Sequence, residues 1–284
     1  MSSIQATALP RRQDPLGARV WRFTRHHTLT AFGILALGYL LLPIAVVVLF
    51  SFNDPAGRFN YTWEGFSTRF WTNPFGVPGL LDAMLTSLKI AGIATLVATA
   101  LGTLVAIALV RYGFRGRGVT NLLVFVPMTT PEIVLGASLL TLFLNLGVAT
   151  GFWTIVIAHV MFSVSFVVVT LKARLVGFDR HLEEAAMDLG ANEWTTFQKV
   201  TLPLIAPGIL AAALLAFALS IDDFVITNFN SGTTVTFPLF VWGAARVGVP
   251  PQVNVIGTMI FLAAVGLMLA NILWQRRREA RERT

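Results

Sequence analysis

The chain has 284 residues, of which 55% are hydrophobic and only 12% are charged, against about 25% charged in an ordinary soluble domain. This composition argues against a soluble globular protein and favours a polytopic membrane protein. In such a protein, the positions of the basic residues that give the net charge of +7 indicate the topology. The sequence has no cysteine and four scattered histidines, which excludes disulfide frameworks and thiolate chemistry and argues against a metal site.

Six apolar segments have the length of about 20 residues that a membrane-spanning helix needs. They cover residues 29–50, 84–110, 119–146, 152–171, 204–221 and 255–274. The sequence therefore predicts an all-α polytopic membrane protein with six transmembrane helices. Its single membrane domain is expected over 29–274, between an N-terminal tail, 1–28, and a basic C-terminal tail, 275–284.

The basic residues predict the orientation of these spans. Seventeen of the 21 Lys and Arg residues fall in the N-terminal tail, in 111–117, in 172–199 and in the C-terminal tail. Because positively charged loops stay on the cytoplasmic side, both termini are expected in the cytoplasm of a cell that carries the protein in its inner (plasma) membrane. We interpret the basic tails as topology signals that also attract lipid headgroups, and we expect no nucleic-acid partner.

Ionisable residues within spans are costly, by about 2.5–3.5 kcal/mol at a helix centre, and normally face a protein interior or an aqueous path. Glu132 lies about 13 residues into the third span, which places it about 20 Å from the inner end of a straight helix. It is therefore a candidate for a substrate path. Alternatively, it satisfies backbone groups freed at Pro131 or pairs with Lys89. In the fourth span, His159 is interpreted as a hydrogen-bonded packing residue.

The longest inward loop, 172–203, is predicted to be structured. Good helix formers precede Gly190, which stands where a left-handed residue would end their helix. Asn192 is placed to cap a second short helix through Val200, which Pro203 is expected to separate from the fifth span. On composition alone, such a helix–turn–helix either rests on lipid or docks into another protein.

Two adjacent acids, Asp222 and Asp223, end the fifth span, and Phe224 and Phe229 follow them. A path lined by carboxylates favours an ammonium-bearing solute, and aromatic rings near the acids are suited to a charged amine or its methylene stem. Neighbouring helical residues point about 100° apart, so at most one aspartate is expected to face the path squarely. Alternatively, both aspartates cap the span and make interface contacts.

The 172–203 loop also contains a spaced motif. Glu184-Ala185-Ala186, three further residues, Gly190 and the later pair Leu202-Pro203 resemble the cytoplasmic loop signature of ABC importer permeases, with Val200 in place of the commoner isoleucine. The resemblance implies the transmembrane domain of a type I ABC importer, whose loop docks into an ATP-hydrolysing subunit. By that resemblance, the ATPase-coupling residues are Glu184, Ala185, Ala186, Gly190, Leu202 and Pro203.

Three further segments narrow the resemblance. Ser51-Phe52-Asn53, residues 131–136 and residues 220–227 are similar to spermidine/putrescine permeases of the second type. This similarity implies polyamine import with a homologous permease, two ATPase subunits and an extracytoplasmic solute-binding protein. Asp222, Asp223, Glu132 and Phe224 are the substrate-path candidates.

The sequence has no phosphate loop of the form G-x-x-x-x-G-K-[ST], so we expect ATP and magnesium at the partner subunits and no cofactor or catalysis in this chain. Two alternatives remain open. The first is an ABC permease for another small organic cation or solute. The second, from a different class, is an ion-driven secondary carrier.

Overall fold

The computed structural model describes residues 16–57, 59–177, 179 and 181–282. In these ranges the regular elements are helices, with one isolated antiparallel bridge between Asn53 and Phe66. The helices are α1 (Leu16–Phe50), α2 (Arg69–Thr72), α3 (Leu80–Arg111), α4 (Arg117–Thr129), α5 (Glu132–Asn145), α6 (Phe152–Val176), α7 (His181–Asp188), α8 (Glu193–Thr196), a π-helical turn (Phe197–Thr201), α9 (Leu202–Ile221), α10 (Val225–Asn230), α11 (Phe237–Val247) and α12 (Pro251–Glu282). Part of the predicted N-terminal tail, Arg180 and the last two residues of the basic tail lie outside the described residues.

Five helices in the described residues are long and apolar enough to cross a membrane, and there are six if α4 and α5 count as one bent span. The spans predicted from the sequence therefore correspond to helices in the structure. The helices α1 and α12 also continue into the predicted tails, to Leu16 and Glu282. The extension of α12, 275–282, consists of glutamine, arginine, glutamate and alanine, which are good helix formers, so its polar composition does not end the helix.

The third predicted span is not one straight helix. α4 and α5 meet at an angle of 108° across Thr130 and Pro131. Proline has no N–H to donate and disfavours helical geometry in the residue before it, and Thr130 accordingly has extended backbone angles, φ −77° and ψ 130°. The straight helix expected over 119–146 was wrong, and so was the depth of about 20 Å that it assigned to Glu132.

One compact unit contains the described residues up to 74 and those from 251 onwards, with α1 packed against α12. After α1, the fully buried Asn53 organises the following loop. Its side-chain amide donates to Asn60 Oδ1 at 2.6 Å and to the Thr62 carbonyl at 2.7 Å. The Ser51-Phe52-Asn53 segment thus has a structural role, because its buried amide groups are paired within the loop.

The second compact unit covers residues 75–250, and its core is the packing of α3 against α6 and α9. Gly102 allows the close approach of α3 and α6, since a Cβ there would lie 2.5 Å from Val167 Cγ1. Leu109, Leu171 and Ile205 are buried in the same core. α5 packs against α10, and α10 also contacts α6. This packing brings the start of α5 and the end of α9 together.

Pro203 does not separate a short helix from the fifth span. Helical residues run continuously from Glu193 to Ile221, with Pro203 in the first turn of α9. In the preceding π-helical turn, the Leu202 N–H reaches back to the Phe197 carbonyl. A proline is tolerated in the first turn of a helix, and the wider turn before it leads the chain into α9 without a break. The predicted separation at Pro203 was therefore wrong.

Candidate functional site

An acidic cavity of about 360 Å³ lies where α5 begins, α9 ends and α10 begins. The side chains that line it include three carboxylic acids and no lysine, arginine or histidine. Its lining residues are Pro127, Met128, Thr130, Glu132, Leu135, Phe162, Phe166, Leu219, Asp222, Asp223, Phe224, Val225 and Ile226. The structure thus brings together all four substrate-path candidates of the sequence, Glu132, Asp222, Asp223 and Phe224. We call this space the acidic cavity.

Glu132 is the first residue of α5, directly after the bend, and its side chain is exposed. The N-terminal end of a helix carries a partial positive charge, which favours a carboxylate there. In the part of the chain that the structure describes, Glu132 forms no ion pair with Lys89 and no side-chain hydrogen bond with the backbone. Its visible surroundings are the helix end and the acidic cavity.

The two adjacent aspartates have different environments. The Asp223 side chain is only 6% exposed, and its Oδ2 accepts the Thr227 N–H at 2.7 Å and the Thr227 hydroxyl at 2.8 Å. Asp223 therefore caps the first turn of α10, whereas the alternative considered from the sequence was a cap on the fifth span. Asp222 is exposed at the end of α9, and no hydrogen bond to another described residue holds its carboxylate. Asp222 is the freer acid of the pair.

His159 holds this arrangement from α6. The residue is 1% exposed, with Nδ1 2.7 Å from Ser220 Oγ and Nε2 2.9 Å from Thr227 Oγ1. Because the Thr227 hydroxyl donates its one proton to Asp223, we assign Nε2 as the donor to Thr227 and Nδ1 as the acceptor from Ser220. The prediction of a hydrogen-bonded packing histidine is confirmed.

Aromatic rings form part of the cavity wall. Phe162, Phe166 and Phe224 line it, and the Phe224 ring lies 5.0 Å from the Trp242 ring, measured between centroids. Phe229 does not line the cavity, because its ring packs against the backbone at Gly136. Of the two phenylalanines expected near the acids, Phe224 therefore lines the cavity and Phe229 does not.

The second candidate site is the loop that contains α7 and α8. Gly190 follows α7 with a left-handed φ of +88°, and Asn192 Oδ1 accepts the Thr195 N–H at 2.8 Å at the start of α8. The predicted left-handed glycine and asparagine cap are both confirmed. These two features fix the turn between the helices. Glycine permits the left-handed backbone conformation, and the asparagine side chain accepts a backbone N–H that has no partner within the helix.

The predicted coupling residues lie mainly on the surface of this loop. Glu184 and Ala185 are exposed, and Ala186 is half-buried. Leu202 and Pro203 are also exposed, but they belong to the first turn of α9, beyond the two short helices. Exposed apolar side chains on the loop include Leu182, Met187, Leu189 and Trp194.

Glu183 is a candidate residue that the sequence reasoning missed. Its carboxylate forms an ion pair with Arg111 at the end of α3 and accepts a hydrogen bond from the Thr201 hydroxyl. The sequence did not reveal this contact, because Arg111 is one of many basic residues in the predicted inward segments. Glu183 and Glu184 are also the same residue type, so the sequence does not distinguish them. Their spacing predicts only that the two acids point in different directions.

The chain is similar to a known protein family and to proteins of known function. The family model described as "Binding-protein-dependent transport system inner membrane component" matches residues 98–281. The spermidine/putrescine transport system permease protein PotC of Escherichia coli (strain K12) is 40% identical over 239 residues, covering 84% of this chain and 90% of that protein. The putrescine transport system permease protein PotI of the same strain is 41% identical over 246 residues, with 83% and 86% covered.

A solved structure shares the fold. It is a bacterial ABC transporter involved in the import of the acidic polysaccharide alginate, and one of its chains matches with a TM-score of 0.63 and 17% identity. The match covers 94% of this chain and 99% of that chain. At this identity the likeness concerns the fold of an ABC importer transmembrane domain, and the solute has to be argued from the site.

Proposed function

The chain belongs to the family of inner membrane components of binding-protein-dependent transport systems and is a transport permease, and on this basis we propose that its solute is a polyamine. Two relatives at about 40% identity are named for spermidine and putrescine transport. Polyamines are short aliphatic chains that carry ammonium groups. A permease for them needs a path that attracts cations and tolerates methylene groups.

The observation that carries this proposal is the acidic cavity. Its described lining has three carboxylic acids, Glu132, Asp222 and Asp223, and no basic side chain. Carboxylates in a space partly shielded from water attract an ammonium group and repel an anion. A shared fold does not choose the solute, since the alginate importer of the same fold is involved in importing an acidic polysaccharide.

Within the cavity we assign different roles to the acids. Asp222 is exposed and has no hydrogen bond to another described residue, so its carboxylate is available to an incoming ammonium group. Asp223 is held by Thr227 and His159, so it shapes the cavity wall. Phe224 supplies an aromatic face beside Asp222, which suits a methylene stem or a cation–π contact.

We further propose that the energy for transport comes from other subunits. The sequence has no phosphate loop, so ATP and magnesium would bind two partner ATPase subunits. Within the loop 179–203, the exposed side of α7 and the residue after it, with Glu184, Ala185 and Leu189, is the proposed contact with an ATPase subunit. A homologous permease would complete the path, and an extracytoplasmic solute-binding protein would deliver the polyamine.

This assembly requires the orientation that the basic residues predict. With both termini in the cytoplasm, the loop 172–203 faces the ATPase subunits, and the binding protein approaches from the opposite side of the membrane. Cysteine labelling tests the orientation directly, because the sequence contains no cysteine of its own. A single cysteine introduced at Gln198, which is exposed in the same loop and lies outside the proposed ATPase contact, should react with a membrane-impermeant reagent only in inside-out vesicles. Labelling in intact cells would show that the loop faces the outside, which is opposite to the predicted orientation.

The function is tested by expressing the chain with the genes of its native transport system and identifying the copurifying proteins by mass spectrometry. The complex is then reconstituted in liposomes with the binding protein, and uptake of radiolabelled putrescine and spermidine is measured. We expect uptake that requires ATP on the side of the membrane where the ATPase subunits lie. Collapse of ion gradients should not change this uptake. Uptake driven by an ion gradient without ATP would instead identify a secondary carrier, and uptake of an anionic solute alone would overturn the polyamine assignment.

A further inference from the structure

A largely buried charged cluster lies between the membrane helices and α7, which carries the proposed ATPase contact and is called the coupling helix below. Glu183 of α7 pairs with Arg111 and accepts a hydrogen bond from Thr201. The Glu183 side chain is 11% exposed and the Arg111 side chain 19% exposed. The two contacts span 72 and 18 residues of sequence, so neither follows from local helix geometry.

The partners of Glu183 belong to two different membrane helices. Arg111 is the last residue of α3. Thr201 is the last residue of the π-helical turn and is continuous with α9. One carboxylate thus joins the short helix α7 to the ends of two long helices that pack against each other in the core.

The neighbouring acid shows that this arrangement is specific to one residue. Glu184 is exposed, and its described partner is His181 Nδ1 at 3.2 Å, within the same short helix. The two acids differ in what they can transmit: Glu184 faces outward from α7, whereas Glu183 is fixed to α3 and to the turn before α9.

We propose that Glu183 is the positioning residue that transmits movement of the coupling helix α7 to α3 and α9. The proposal rests on the proposed function, since it assumes that an ATPase subunit moves α7. A carboxylate with two partners on separate helices resists displacement relative to both of them. A push on α7 would therefore move the ends of α3 and α9 together with it, and would not be absorbed by bending of the loop.

A neutral substitute tests this role at constant size. Glu183→Gln removes the ion pair with Arg111, and Thr201→Val removes only the hydrogen bond. Glu193→Gln is the matched control: it makes the same charge change on a side chain that lines the same cavity as Glu183, is exposed and has no described contact with Arg111. All three are compared in the full-length chain and in the assembled transport complex.

The first measurement is hydrogen–deuterium exchange of residues 181–190 in the full-length chain in nanodiscs, which needs neither ATP nor a solute. We expect exchange about tenfold faster in Glu183→Gln, a smaller increase in Thr201→Val and no change in Glu193→Gln, because loss of the tether lets α7 open locally. Unchanged exchange in Glu183→Gln would overturn the proposal.

The second measurement is the number of ATP molecules hydrolysed for each solute imported by the reconstituted complex. We expect this ratio to rise about fivefold or more in Glu183→Gln, with normal complex yield and with Glu193→Gln like the parent. Faster exchange with an unchanged ratio would show a tether without a coupling role and would also overturn the proposal.

A parent complex with no ATP-dependent uptake would instead disprove the proposed function, which separates the two failures. If Glu183→Gln does not assemble, Thr201→Val and the reversed pair Arg111→Glu with Glu183→Arg decide the matter. The reversed pair should then restore assembly and part of the coupling. If the reversed pair assembles but hydrolyses as many ATP molecules for each solute imported as Thr201→Val does, the result would count against the proposal.

Discussion

The Nε2 atom of His159 in α6 lies 3.3 Å from Oδ2 of Asp223, which stands between α9 and α10 and is 64 positions away in the sequence. Together with Thr227, this contact holds Asp223 in the wall of the acidic cavity. Asp222, one residue earlier, has no such partner in the described structure and remains exposed. The adjacent acids should therefore respond differently to the same substitution.

Asp222→Asn is expected to lower the transport efficiency for putrescine and spermidine about tenfold or more. A hydrogen bond to a charged group contributes about 1.5–3 kcal/mol, and each 1.4 kcal/mol corresponds to a factor of ten. Complex yield should not change, because Asp222 is exposed. The measurement is the concentration dependence of radiolabelled polyamine uptake in proteoliposomes.

Asp82→Asn serves as the control for this experiment, since Asp82 is an exposed acid in the first turn of α3 and does not line the cavity. It should transport like the parent. Equal uptake by Asp222→Asn and Asp82→Asn would remove Asp222 from the path.

His159→Phe is expected to destabilise the permease. The substitution leaves buried polar atoms of Ser220, Thr227 and Asp223 without their ring partner, and each such group costs about 1–3 kcal/mol. The thermal unfolding midpoint of the purified chain, followed by intrinsic fluorescence, should fall by several degrees. Ser220→Ala removes one contact and should cause a smaller decrease. An unchanged midpoint in His159→Phe would show that the cluster contributes nothing to stability.

Gly190→Leu is expected to impair ATPase coupling without unfolding the membrane helices. Gly190 has φ +88°, and a side chain in left-handed geometry costs about 1–2 kcal/mol, although no neighbouring atom would meet a Cβ there. The strain should shift α7 relative to α8 and raise the ATP hydrolysed per polyamine imported. Both quantities are measured in the reconstituted complex.

Two comparison variants separate backbone strain from side-chain bulk at this position. Gly190→Asn should be milder, because asparagine tolerates left-handed geometry better than leucine. Gly177→Leu adds the same bulk in the same loop at a φ of −85° and should couple normally. Equal uncoupling by Gly190→Leu and Gly177→Leu would attribute the effect to bulk.

The sequence predicted those features that depend on local chemistry. Runs of apolar residues predict membrane helices in any tertiary context, and glycine and asparagine predict the left-handed residue and the cap at Gly190 and Asn192. The acids that line the cavity were also predicted, because a charge in or beside an apolar segment is unusual.

Other features depend on packing between distant segments, and local patterns do not contain that information. Pro131 and Pro203 are the same residue type, yet α4 and α5 bend by 108° at the first, whereas the helix that starts at Glu193 continues through the second. The difference lies in the π-helical turn before Pro203, which residue propensities do not predict. Likewise, the partners of Glu183 became visible only when α3, α7 and α9 were placed together.

Glu132→Gln is expected to lose most polyamine uptake while assembling normally. Glutamine keeps the size of the side chain at the start of α5 but removes the negative charge that faces the acidic cavity. If the charge attracts the ammonium group, the loss should be about tenfold, as for a charged hydrogen bond. Uptake and complex yield are measured for Glu132→Gln and Glu132→Leu in parallel.

The two variants distinguish a path residue from a structural one. A structural acid that acts as a hydrogen-bond partner would tolerate glutamine, while leucine would lower complex yield. A path residue would lose uptake with either substitution and keep its yield with both, because Glu132 is exposed and has no side-chain partner among the described residues. Full transport by Glu132→Gln would therefore exclude Glu132 from the path and leave Asp222 as the acid that receives the cation.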